Sequence, residues 1–295
     1  MKDFIEELLH TGSFSVVGLE KNTGKTVCLN YILAHLPADT RVAVTSIGLD
    51  GESQDQVTGT HKPEITLRRG MVFATSEKHY RMRRLCSELL DVSNERTALG
   101  RLVTARVLTE GKVMLSGPGS TAAVRRWMDE VRPYADLVLV DGALSRMSLA
   151  SPTVSESMVL ATGAAYSANI DTLVRKTAYQ VELINLPPVT EGDDEKRVYH
   201  DGAVTDRVLE KLMNEAGNAG KELVIQDFTK VFADPMVWHR FVKTHRVSVR
   251  QRSRLLAVTV NPTAPNGMVL DSDKLCEKLQ EAIHLPVVDL LKMKN

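Results

Sequence analysis

Gly18-Leu19-Glu20-Lys21-Asn22-Thr23-Gly24-Lys25-Thr26 places two glycines, two lysines and two threonines where an apolar run, Phe14–Val17, gives way to the helical pattern Val27-Cys28-Leu29-Asn30-Tyr31-Ile32. A glycine-rich turn between a strand and a helix aims successive backbone N–H groups at one point, and the helix N-terminus adds a positive partial charge there. The ligand such a turn suits is phosphate. Lys25 is placed to reach the outer phosphates of a polyphosphate, and Thr26 to offer its hydroxyl to a magnesium ion. Glu20, Lys21, Asn22, Thr23 and Val27 complete the expected contact segment.

This is the context of a P-loop, with one departure. Five residues stand between Gly18 and Gly24, one more than the four of the strict pattern, while the Gly-Lys-Thr core is intact. The longer spacing is similar to that of dethiobiotin synthetase. Lys21–Thr26 resembles the loop of the molybdopterin-guanine dinucleotide accessory GTPases.

Other residues converge on the same chemistry. Asp136-Leu137-Val138-Leu139-Val140-Asp141-Gly142 reads as a buried strand ending in an acid, so Asp141 is expected to hold the magnesium shell through water; a turn aspartate before glycine is the plainer reading. Thr45-Ser46-Ile47-Gly48-Leu49-Asp50-Gly51-Glu52 stands where a first switch loop would. Asp50 there either orients an attacking water or completes the metal shell, and it reads equally as a loop aspartate. Asn261, between the run Leu255–Val260 and Pro262, has the donor and acceptor a purine contact needs, and Asn-Pro is also an ordinary turn. With no Asn-Lys-x-Asp sequence, ATP is favoured over GTP without GTP being excluded.

The elements that must position these residues follow from hydrophobic patterning. Short runs rich in β-branched residues alternate with helical stretches, which predicts an α/β fold: a mostly parallel twisted sheet flanked by helices, as in P-loop NTPases. The expected strands are Phe14–Val17, Arg41–Ser46, Lys112–Ser116, Leu137–Asp141, Met158–Ala161, Leu223–Gln226, Leu255–Val260 and Pro286–Asp289. Such sheets bind ligands at the carboxyl ends of their strands, here Gly18, Ser46, Ser116, Asp141 and Asn261. The expected organisation is a nucleotide-binding core over 1–188, a helical or α/β insertion over 189–250 opened by the polar run Glu191–Glu195, and a strand-helix-strand over 251–295 returning to the core. The basic run Arg240–Arg254 reads first as a solvated face and second as a docking or phosphate-facing element.

Composition narrows the classes further. The 295 residues carry 37 basic and 37 acidic side chains, so no global field draws the chain to nucleic acid or an anionic membrane. Cys28, Cys86 and Cys276 show no CxxC spacing, which argues against a disulfide framework or structural zinc and for a reducing, cytoplasmic setting. No apolar run approaches the ~18 residues of a spanning helix.

Gly18–Thr26, the Thr45–Glu52 loop, Lys62-Pro63-Glu64-Ile65, Leu115-Ser116-Gly117-Pro118-Gly119 and Val140-Asp141-Gly142-Ala143-Leu144 together resemble the small ATPase subunit of lysine 5,6-aminomutase reactivase. The resemblance implies a chaperone-like ATPase that works with a second reactivase subunit on an adenosylcobalamin-dependent aminomutase. Two other readings stay open: a dethiobiotin-synthetase-like enzyme using Lys62 or Ser116 for a small carboxylate or amine, and a nucleotide-binding module that hydrolyses nothing. A second copy of the chain is a further candidate partner.

Overall fold

The computed structural model describes residues 2–47, 64–97, 99–143 and 155–292. In chain order the elements are helix α1 (Lys2–Leu9), strand β1 (Ser13–Gly18), α2 (Lys25–His35), β2 (Val42–Ser46), β3 (Ile65–Leu67), β4 (Val72–Ser76) and α3 (Glu77–Arg81). Next come β5 (Ser87–Thr97), β6 (Gly100–Val107), β7 (Gly111–Val113), α4 (Thr121–Val131), β8 (Leu137–Ala143), β9 (Ser157–Gly163) and α5 (Ile170–Ile184). The chain continues through β10 (Arg197–His200), α6 (Asp206–Asn214), β11 (Glu222–Ile225), α7 (Pro235–Val242), β12 (Val247–Val249), β13 (Arg254–Asn261), α8 (Ser272–Ile283) and β14 (Val287–Asp289).

The main sheet has nine strands in the order β14-β13-β9-β1-β8-β2-β4-β6-β5. From β14 to β4 every pairing is parallel; β6 then runs antiparallel to β4, and β5 antiparallel to β6. The fold is therefore α/β, with a large, mostly parallel mixed sheet flanked by helices. Its central strands are buried on both faces, so β1 and β9 are buried along their whole lengths instead of alternating. Val16 and Leu139 pack with Leu29, Ile32 and Leu33 of α2 on one side. On the other, Val138 and Val140 meet Val124 and Trp127 of α4, while Val17 and Leu160 meet Leu183 and Ile184 of α5.

Residues 197–249 contain a second, three-stranded parallel sheet, β10-β11-β12, with α6 and α7 packed on each other. Its buried side chains, among them Leu223, Ile225, Trp238 and Phe241, join those of α5 in one hydrophobic cluster that reaches β1 and β9. The expected strand at Leu223–Gln226 thus exists but belongs to this small sheet. Part of the basic run lies in separate pairs: His239 with Glu182, Arg240 with Glu210, Arg250 with Asp201 and Arg254 with Glu7. Exposed pairs of this kind each contribute little to stability.

The expected strand Lys112–Ser116 needs correction. The strand is Gly111–Val113, and it pairs antiparallel with β3 in a two-stranded ribbon outside the main sheet. A Cβ on Gly111 would lie 2.1 Å from the Arg84 carbonyl oxygen, so this backbone is pressed against the segment leading into β5 and turns away before Ser116. The patterning also passed over β4, β5 and β6. Strand β5 is polar along much of its length and bulged between Leu89 and Asp91, which breaks the two-residue alternation that marks a strand.

Candidate functional site

β1 ends between β8 and β9, and the chain leaves it through a hydrogen bond from Leu19 N to the Ala161 carbonyl at 2.9 Å. The turn that follows has two left-handed residues, Asn22 (φ 63) and Gly24 (φ 91). Asparagine tolerates that conformation and glycine adopts it without a Cβ penalty. Buried Thr23 fixes the turn from within by donating to the Glu20 carbonyl at 2.9 Å, and the Glu20 carboxylate accepts from Lys21 N at 2.8 Å. At Gly18 an added Cβ would stand 2.7 Å from both Lys25 Cγ and Thr23 Oγ1. The stem of Lys25 therefore folds back across the glycine backbone, and only a residue without a side chain leaves it room.

α2 begins at Gly24 with no side-chain cap and no acid in its first turn. Helices α4, α5, α7 and α8 instead open on capping acceptors from Ser120, Asn169, Asp234 and Asp271. The leading N–H groups of α2, those of Lys25, Thr26 and Val27, are thus left to an acceptor from outside the helix, with the positive end of the helix dipole behind them. Lys25 makes no ion pair with any described residue and is only partly buried. A glycine-floored turn, a folded-back lysine and an uncapped helix fit a phosphate group, and Thr26 stands where a hydroxyl could join a cation beside it.

Asp141 lies on β8, in register with Val16 of β1 and Ser46 of β2. Neighbouring strands run about 4.8 Å apart, so the acid sits one strand from the turn and two residues short of Gly18 along the register. The buried thiol of Cys28, on the first turn of α2, is pushed up to about 12. Burial is the main cause; a hydrogen bond with Thr259 pulls the other way, and the nearby charge of Asp141 adds to the rise. Asp141 therefore faces the base of α2. Asp50, Lys62 and the Gly48–Glu52 stretch lie outside the described residues.

Asn261 closes the turn from the far side. Its amide donates to the Asn22 carbonyl at 3.0 Å and accepts from Thr263 N at 3.1 Å, and its Cβ is 3.2 Å from where a Cβ on Gly24 would stand. In this geometry both hydrogen bonds of the amide serve turns, one of the two roles the sequence offered for it.

One cluster escaped the sequence reading. Ser116 Oγ meets His79 Nδ1 at 2.8 Å, Ser76 Oγ at 2.7 Å and Ser76 N at 3.0 Å, all buried. Next to it, Gly117 N donates to Ser46 Oγ at 3.1 Å, and a Cβ on Gly117 would fall 1.6 Å from the Ser46 carbonyl oxygen. The loop after β7 is thus clamped onto the end of β2, where the expected switch begins. The glycine and proline punctuation of Ser116–Gly119 hinted at this contact. Nothing in the polar stretch Glu77–Arg81 singled out His79.

Among the described residues no three His, Cys, Asp or Glu side chains gather as a metal site, and no helix is long and apolar enough to cross a membrane. Comparison with known protein families, characterised proteins and solved structures found no match.

Proposed function

We propose that this chain is a P-loop NTPase, binding ATP with magnesium at Gly18–Thr26 and hydrolysing it with the help of Asp141. The observation that carries the reading is the turn itself: Lys25 folded across a glycine that tolerates no Cβ, at the start of a helix left uncapped beside an acid-bearing strand. Backbone N–H groups of the turn and of α2 would bind the phosphates, Lys25 would neutralise the outermost charge, and Thr26 and Asp141 would hold the metal and its water shell. Magnesium, when bound, supplies charge stabilisation at the phosphoryl oxygens. ATP is favoured over GTP because no guanine-reading Asn-Lys-x-Asp sequence is present.

The resemblance to the reactivase ATPase extends this reading to a protein that, with a second subunit, uses ATP to restore an inactivated adenosylcobalamin-dependent lysine 5,6-aminomutase. The clamp of Gly117 on Ser46 supports a switch more than a small-molecule synthetase, because it ties the end of β2 to a neighbouring loop, and because Ser116 is buried among its bonds to His79 and Ser76. Two measurements test the reading. Asp141→Asn should lower magnesium-dependent ATP turnover by roughly 100-fold while binding persists; turnover equal to wild type would remove Asp141 from the site. Recovery of inactivated mutase should require hydrolysable ATP, and recovery indifferent to nucleotide would defeat the reactivase assignment.

A further inference from the structure

Away from the turn, the antiparallel end of the main sheet carries a cavity of about 450 Å³ between α3 and the β5–β6 hairpin. That is the size of a small-molecule pocket. Its floor exists because of the bulge in β5. Leu89 stands opposite Ala105 and Val92 opposite Val103, so two residues three apart reach the same face of the sheet as Val103 and Ala105. Leu89 is left 53% exposed within the cavity wall, on the edge strand of the sheet.

The rim is cationic. Three guanidinium groups, from Arg81, Arg83 and Arg101, line it against one carboxylate, that of Glu77. Glu77 is already bonded to Arg81 one helical turn on. Arg83 has no acid partner among the described residues and is held in place by other means: it lies 3.8 Å over the Tyr80 ring, donates to the Tyr80 carbonyl at 2.7 Å and donates to Ser87 Oγ at 2.9 Å. Arg101 likewise has no acid partner among the described residues. Two uncompensated guanidinium charges, one of them fixed by stacking, stand above an apolar floor.

The hairpin turn rests on α3 beside the cavity. Lys78 N donates to the Leu99 carbonyl at 3.2 Å, and a Cβ on Gly100, whose φ is +95°, would lie 2.9 Å from Glu77 Cβ, so the turn is seated on α3. We infer that this cavity is a second binding site, taking a small organic anion: a carboxylate held by Arg83 and Arg101 on an apolar body resting on Leu89, Val92 and Val103. The site shares none of its lining residues with the phosphate-binding turn.

The test is a calorimetric titration of the full chain with naphthalene-1-carboxylate, alongside its neutral amide of the same shape. The carboxylate should bind one to one and about tenfold tighter than the amide, and Arg101→Gln and Arg83→Gln should each weaken it about tenfold, the loss expected for one charge-assisted hydrogen bond. Arg101 is exposed and bonded to no described side chain, so its substitution leaves the fold intact. Equal binding of carboxylate and amide, wild-type affinity in both variants, or no saturable binding of the carboxylate would overturn the proposal.

Discussion

A single methyl group is enough to disturb the Gly18–Thr26 turn, because Gly18 lies beneath the stem of Lys25. Gly18→Ala would place a Cβ 2.7 Å from Lys25 Cγ, and the lysine must swing away to accept it. The expected outcome is a folded protein whose ATP affinity falls about tenfold, the cost of misplacing one charge-assisted contact; equilibrium dialysis with ATP checks it. Cys28 offers a reading on the other side of the turn. Its folded-state pKa of about 12 exceeds the reference value of 9.0, so burial of the neutral thiol contributes stability below pH 9, and that contribution is lost as pH rises toward 12. Cys86, by contrast, is exposed. Iodoacetamide at pH 8 should therefore alkylate Cys86 in the native protein and leave Cys28 unmodified, as mass spectrometry of the digested product would show. The strand, turn and helix around Gly18–Thr26 were legible because the apolar run Phe14–Val17 ends at a glycine and a helical pattern follows Gly24-Lys25-Thr26. The contact made by Asn261 was not legible: an amide suits a purine and a turn equally, and its 3.0 Å bond to the Asn22 carbonyl depends on how distant segments of the fold meet.

Among the elements, the loop after β7 is the one the sequence described least well. Lys112–Ser116 has the composition of a parallel strand, yet the backbone pairs antiparallel with β3 and then crosses to the end of β2, a path fixed by contacts at Gly111 and Gly117 that patterning cannot register. Strand β5 was hidden for a different reason. An edge strand has little need of apolar residues on its outer side, and the bulge at Leu89 and Asp91 spoils the remaining alternation. Central strands such as β1 and β9, buried on both faces, were plain as unbroken apolar runs. The clamp at Gly117 makes its own prediction. An alanine there would drive its Cβ to within 1.6 Å of the Ser46 carbonyl oxygen, so the loop must lift from β2. Thermal unfolding should show Gly117→Ala destabilised by about 1–3 kcal/mol, in the range of overpacking costs, and an unchanged midpoint would mean that the loop does not hold β2.

For the molecule as a whole, parallel order from β14 to β4 brings Gly18, Asp141, Ser46 and Asn261, which are far apart in sequence, to one edge of one sheet. The alternation of strand and helix patterns anticipated that convergence. The antiparallel extension and the separate sheet of residues 197–249 were beyond it, since strand order and sheet membership depend on contacts between distant segments. If the convergence serves a nucleotide, binding should stabilise the folded state by about 2.7 kcal/mol when ligand stands at 100 times its dissociation constant. The most direct test is calorimetric titration of wild type and Lys25→Ala with ATP and GTP in the presence of magnesium. Wild type should bind ATP at a single site, and Lys25→Ala should bind it roughly tenfold to a hundredfold more weakly while unfolding as cooperatively as wild type. Equal affinity in the two proteins, or no binding of either nucleotide by wild type, would contradict the assignment of Gly18–Thr26 as a phosphate-binding turn.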